Sequence, residues 1–275
     1  MAMATTHRPR SRIDLAGNSA LVWGGCSLGT LLIVWFIVTS GTGLVAPRLL
    51  PSPAVLVERI FVLATTPFGG HDLFGHATAS LERWTFGVLA AIGLGLPLGV
   101  LFAWLPPVRA ALTPAFELLR YIPPFAWVPI AILWFGASTL TQALVVFVAA
   151  FPACVINTQL GVSQVDKVLV QASRTLGAGS WMTLRKVVLP VAAHDAFTGI
   201  RIAVSNGWMA LVGAELVVGK VGLGFLVSQG QANDSVATVF VGIIAIGLLG
   251  VLIDSGVRWL QRAALPWRTA DASKA

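Results

Sequence analysis

The sequence predicts an all-α, polytopic membrane helical bundle of about six transmembrane spans, with one helical loop between spans on the cytosolic side. Three observations predict it. Charge is sparse: 11% of residues are Asp, Glu, Lys or Arg, where a soluble domain carries about a quarter. Mean hydropathy is +0.84 over 275 residues, more apolar surface than one water-soluble core can enclose. The apolar residues also gather in runs of about 20, enough for a helix to cross ~30 Å of hydrocarbon with its backbone bonded internally.

The first run is Leu21–Thr39, 19 residues without a charge. "HRPRSR" (7–12) precedes it. The run outlasts a signal core and offers no small-residue cleavage site, so residues 1–20 read as a cytosolic tail before a retained anchor. "SGTGLVAPRLLPSP" then leads to a short amphipathic segment at 54–64. A polar patch, "GGHDLFGHATASLER" (69–83), precedes a second span at about Trp84–Leu105. Within that span Gly87, Ala91, Gly95 and Gly99 recur every fourth residue, a small-faced stripe that lets a neighbouring helix approach closely.

"PPVRAALTPAFELLRYIPP" (106–124) reads as a connector or interfacial helix. The stretch from Tyr121 to Val165 holds no charged residue. That is too long for one crossing, so it is expected to be a hairpin of two spans, at about 122–136 and 140–158, turning at "GAST". Pro123, Pro124 and Pro129 should bend the first of them, since proline removes a donor and clashes with the preceding turn. A fifth span is expected at about Ala196–Val218 and a sixth at about Val236–Val257. The membrane domain thus covers 21–260, and a basic tail occupies 261–275.

Lys and Arg test this topology. With both termini in the cytosol, the inner segments hold Arg8, Arg10, Arg12, Arg109, Arg120, Lys167, Arg174, Arg185, Lys186, Arg258, Arg262, Arg268 and Lys274, thirteen in all. Only Arg48, Arg59 and Lys220 fall outside. This is a strong positive-inside bias, and it accounts for the net charge of +7 without a basic nucleic-acid-binding arm. It also places "QASRTLGAGSWMTLRKVVLP" (171–190) in the cytosol.

That loop, about 163–192, reads as two short amphipathic helices. Asp166 is a good N-cap for a helix to about Leu176, with Leu169, Ala172 and Leu176 on one side. Gly177 and Gly179 allow a reversal. Ser180 can cap a second helix carrying Trp181, Leu184 and Val188, and Pro190 should end it. Helices this short need a surface to pack on. On the residues alone that surface is either the chain's own spans or a separate cytosolic subunit.

The loop resembles the cytoplasmic signature of ABC-importer permeases: Glu-Ala-Ala, three residues, Gly, nine residues, then Ile-x-Leu-Pro. Here Gln171, Ala172 and Ser173 stand first, then Gly177, then Val187, Leu189 and Pro190, with every spacing kept. "LPSPAVLVE", "LLRYIPPFAWVPIAILWFG", "GIRIAVSNGWMALVGAEL" and "GLGFLV" resemble the sulfonate, taurine and nitrate branch of the same permeases. The resemblance implies that the loop forms coupling helices seated in a groove of a cytosolic ATPase. Gln171, Ala172, Ser173, Leu176, Gly177, Ala178, Trp181, Leu189 and Pro190 are the residues it assigns to that contact. It further implies a homodimer, an extracytoplasmic solute-binding protein, alternating access, and a place in the bacterial inner membrane. No cofactor belongs to this chain; ATP and Mg would be held by the partner ATPase.

In the fifth span Arg201, Trp208 and Glu215 are spaced by seven with Ser205 beside them, so they share a stripe. Structural pairing or snorkelling is one reading of it, and the lining of a translocation path between two copies is the other. Asn206 is expected to point elsewhere. "GKVGLGFL" (219–226) resembles the family's loop near the external gate, and a plain Gly-rich turn fits equally.

Enzymatic readings find little support. All four histidines are expected outside the spans, and no His/Glu cluster has zinc spacing. His71, Asp72 and His76 read as a solvated loop rather than a metal site. Cys26 and Cys154 sit in apolar runs and read as small buried residues. There is no Gly-x-x-x-x-Gly-Lys-Ser/Thr to hold a phosphate. An ion-coupled secondary transporter is the alternative transport reading, though paired repeats and midplane carboxylates are missing. A non-transporting scaffold is a third.

Overall fold

A computed structural model describes residues 13–41, 45–46 and 48–264. Of the tails expected at 1–20 and 261–275, residues 1–12 and 265–275 lie outside the described residues. The chain divides into two compact units between Arg59 and Ile60. The described residues form helices and no strand, apart from one isolated bridge between Phe68 and His71.

In the first unit, α1 (Ile13–Phe36) runs into a π-helical segment at Ile37–Gly41. Val22–Gly41 is apolar enough to cross a membrane. Trp35 Nε1 donates to Pro51 O at 3.1 Å, closing the loop back on the span. α2 (Pro53–Thr65) begins with proline in its first turn, where a missing N–H costs nothing.

The second unit is built on three long helices: α3 (Leu73–Trp104), α6 (Thr139–Ser163) and α9 (Leu189–Val218). The predicted small-faced stripe of α3 is the contact with α6. Gly87, Ala91, Gly95 and Gly99 are all buried. A Cβ added at Gly99 would stand 2.6 Å from Val155 O and 2.7 Å from Thr158 Cβ. Gly99→Leu is therefore expected to cost about 1–3 kcal/mol by overpacking. Gly93, with nothing within 4 Å of its added Cβ, should accept Leu at little cost. Thermal unfolding of the two variants in detergent checks the difference.

Several boundaries differ from the sequence reading. α3 begins at Leu73, not near Trp84, so most of the polar patch at 69–83 is helical. Asp72 caps it by accepting from Gly75 N–H at 2.8 Å. His76, expected in a loop, is a buried residue of this helix, and His194 also lies in a helix.

The expected hairpin is only half present. α4 (Pro106–Tyr121) is followed by a 3₁₀ turn at Pro124–Trp127 and by α5 (Val128–Phe135), whose eight residues are too few to cross. The two parts of this segment meet at 95°. Ile122, before Pro123, is extended at φ −74° and ψ 119°, as a residue preceding proline must be. Among the described residues five helices are accordingly long and apolar enough to cross a membrane, or six if the bent pair counts as one span.

α7 (Lys167–Thr175) matches the first predicted loop helix, and Asp166 accepts from Val168 N–H at 2.8 Å. The second, α8 (Ser180–Thr183), has Gly179 rather than Ser180 at its cap. Pro190 does not end it. A π-helical segment, Leu184–Val188, carries the chain into α9, and Leu189 N–H bonds Leu184 O. Pro190 has no N–H for the Lys186 carbonyl, so the five-residue register absorbs the missing bond. α9 therefore begins at Leu189 rather than near Ala196. A further helix that was not predicted, α10 (Leu223–Ala232), precedes α11 (Val236–Ala264).

Candidate functional site

Of the two covers that the sequence left open, the chain's own spans take part of the loop between α6 and α9. Leu184 and Val188 turn inward and pack with Val162, Val165 and Ala192, with Val100 and Trp104 against them. The other apolar side chains stay outside: Leu176 is 88% exposed and Trp181 71%. Val168, Leu169 and Met182 are exposed as well. Two large apolar side chains thus stand exposed on one short tip.

The tip is held in shape. Ser173 Oγ lies 3.0 Å from Thr183 Oγ1, tying α7 to α8, and also donates to Val170 O at 2.8 Å. Leu176 N–H bonds Ala172 O, Gly177 N–H bonds Arg174 O, and Ala178 N–H bonds Ser173 O. Gly177 turns the chain at φ +83°, a conformation that favours glycine, and nothing in this chain stands within 4 Å of its missing Cβ. Gln171, Ala172, Leu189 and Pro190 are exposed and Ala178 is half-buried. The apolar tip therefore stands on a base anchored to the chain's own spans.

The α9 stripe is committed inside the chain. Arg201 makes a paired contact with Asp254 of α11, Nε to Oδ1 at 2.8 Å and Nη2 to Oδ2 at 3.3 Å, and Arg258 joins at 3.1 Å. Ser205 Oγ donates to Arg201 O at 3.3 Å. Trp208 is buried, and its Nε1 donates to Ile246 O at 3.2 Å. Of the four, Arg201 and Ser205 keep partial exposure.

Glu215 is fully buried at the centre of a clasp. Its carboxylate accepts from Ser80 Oγ at 2.9 Å, Arg83 Nη1 at 3.1 Å and Gly224 N–H at 2.9 Å. Ser80 Oγ in turn accepts from Leu223 N–H at 2.9 Å, and Arg83 Nη1 also donates to Val221 O at 2.5 Å. His76 Nδ1 accepts from Gly222 N–H at 3.0 Å while Nε2 faces Phe68 O at 2.8 Å. A proton on Nε2 and none on Nδ1 satisfies both. Gly222, at φ +133°, lies against the Glu215 carboxylate with no room for a side chain.

This clasp supplies what the start of α10 lacks. The first N–H groups of a helix have no intrahelical acceptor, and here Glu215 and Ser80 provide them from other helices. Of these residues the sequence marked Glu215 as part of a stripe and His76 as part of a solvated loop, and it gave Ser80 and Arg83 no role. The spacing of His76, Ser80 and Arg83 by four and three residues in "HATASLER" is the signal that could have found them.

Comparison with known proteins agrees with this architecture. Residues 95–265 match the family described as "Binding-protein-dependent transport system inner membrane component". The chain is 35% identical to the taurine transport system permease protein TauC of Escherichia coli over 243 residues, 88% of each chain. It is 34% identical to the nitrate import permease protein NrtB of Synechocystis over 264 residues, 94% of each. With the bicarbonate transport system permease protein CmpB of Synechococcus elongatus it shares 38% over 239 residues, 84% of each. Among solved structures, an inward-facing MetNI methionine ABC transporter has a chain that superposes with a TM-score of 0.61 at 19% identity, covering 75% of this chain and 98% of its own. That likeness carries the fold. The matched length and the full-length identities together make this chain a member of the binding-protein-dependent transport system inner membrane component family.

Proposed function

We propose that this chain is the membrane-spanning subunit of an ATP-driven importer, working as a homodimer and coupled to two cytosolic ATPase subunits through residues 171–190. The observation that carries the proposal is the exposed Leu176–Trp181 tip around an open Gly177, on a base whose Leu184 and Val188 are buried against the chain's own spans. Gln171, Ala172, Ser173, Ala178, Leu189 and Pro190 complete the docking contact. ATP and Mg bind in the partner, and this chain performs no covalent chemistry. Closure of the ATPases on ATP pushes the coupling helices and changes which side of the dimer interface is open.

An extracytoplasmic binding protein delivers the solute, a small anion such as a sulfonate, taurine or nitrate. Relatives named for taurine, nitrate and bicarbonate support that class. Both termini lie in the cytosol, as the distribution of Lys and Arg supports. Membership of the family sets aside the ion-coupled alternative.

Reconstitution in proteoliposomes with the ATPase and binding protein tests the proposal. Uptake of labelled taurine, nitrate, bicarbonate or an alkyl sulfonate should require ATP and both partners. Uptake that persists without ATP and follows an imposed ion gradient overturns it.

A further inference from the structure

The side chains of α9 that face away from the rest of the chain are not those of the Arg201 stripe. Ile202, Asn206, Met209 and Leu216 are exposed along α9, with Gly213 between them half-buried. At 100° per residue these five positions fall within about 80° of one another. The other sides of α9 pack on α3, α6, α10 and α11. The exposed face is apolar except at Asn206, whose side chain makes no hydrogen bond among the described residues. Asn206 lies about 18 Å from the outer end of the helix at 1.5 Å per residue, well inside the hydrocarbon depth. An amide there cannot be satisfied by lipid, and polar groups at such depth face protein or water.

A second observation points to the same face. The interrupted backbone at Ile122–Trp127 packs on α9, and the ring of Phe125 lies directly against Gly213. Pro123 and Pro124 have no N–H, and the 3₁₀ turn is held by i to i+3 bonds, Ala126 N–H to Pro123 O at 2.9 Å and Val128 N–H to Phe125 O. Phe125 and Ile122 are nevertheless exposed in the chain alone. Non-helical backbone at membrane depth survives where protein covers it or where it lines a water-filled cavity.

We infer that the Ile202–Asn206–Met209–Leu216 face of α9, with the broken segment at 122–127 beside it, is the chain's wall of the solute path, and that Asn206 is its solute-contacting polar residue. The amide offers both a donor and an acceptor, which suits a small, strongly hydrated solute as it sheds water. A second copy of the chain supplies the opposite wall. This assignment rests on the importer reading and deepens it. Arg201, Trp208 and Glu215 act behind this wall, fixing α9 to α11, α3 and α10.

Thiol labelling tests the assignment without depending on transport. Methanethiosulfonate reagents react with the thiolate, which forms in water and not in hydrocarbon. Asn206→Cys and Leu252→Cys, the latter on an exposed apolar position of α11, are each treated with a charged, membrane-impermeant reagent. The native chain, carrying Cys26 and Cys154, sets the background. Asn206→Cys should react at least tenfold faster than Leu252→Cys, and nucleotide trapping of the assembled complex should change its rate. Equal rates at the two positions overturn the assignment whether or not the complex imports anything. In the reconstituted system Asn206→Leu should lower uptake at least tenfold while its melting temperature and ATPase capture stay native. Native uptake by Asn206→Leu contradicts the role in solute contact and leaves the importer reading standing.

Discussion

Glu215→Leu is expected to cost this protein about 3–5 kcal/mol, the usual penalty for removing one partner of a buried ion pair. The loss falls on several groups together. Arg83, 13% exposed, keeps its charge without its carboxylate, and Gly224 N–H and the Ser80 hydroxyl lose their acceptor. Against a typical folding stability of about 5–15 kcal/mol, most of the purified variant should melt or aggregate in detergent well below the native temperature. Ser80→Ala removes one hydroxyl from the network and should cost about 1–3 kcal/mol. The double variant Glu215→Leu with Arg83→Met should recover part of the loss, because no lone charge remains. Melting curves of these variants check the order. A Glu215→Leu variant that melts with the native chain contradicts the clasp.

The second large effect concerns coupling rather than stability. Leu176→Asp combined with Trp181→Asp should leave the fold intact, because both side chains stand outside it. Transferring a Leu and a Trp side chain out of an apolar cleft forfeits roughly 4 kcal/mol together, which is about a thousandfold in affinity. ATP-dependent uptake and ATPase activity stimulated by the permease should both fall to background. Leu184→Asp provides the contrast. Leu184 is 6% exposed in the cluster with Val162 and Val188, so an acid there should lower the yield of folded chain instead. If the Leu176/Trp181 variant also fails to fold, the tip belongs to the chain's own packing.

The sequence reading succeeded where one physical cause dominates. Hydropathy located the long spans, because a bilayer demands an apolar run and little else resembles one. Small residues every fourth position on α3 marked its contact with α6, and the spacing of Asp166, Gly177 and Pro190 marked the loop. It failed where polarity or proline had a tertiary explanation. Residues 69–83 look like a loop, yet His76, Ser80 and Arg83 are polar because they hold the 219–224 turn. Pro190 looks like a stop, yet the π-helical register before it removes the need for its N–H. The stripe at Arg201, Trp208 and Glu215 was visible, but its partners Asp254, Ile246 and Ser80 lie far away in sequence. Periodicity shows that residues share a side and cannot show what that side meets.

Capture of a co-expressed ATPase subunit in detergent is the most direct measurement of coupling through residues 171–190. The native chain and Gly177→Trp are purified by a tag on the permease, and bound ATPase is quantified in each. Gly177 is open in the chain alone, so the indole meets the docked partner, while the strain at φ +83° stays local to the turn. The native chain should capture the ATPase in stoichiometric amounts, and Gly177→Trp, with a near-native melting temperature, should capture less than a tenth as much. Equal capture by the two chains would contradict docking at this tip.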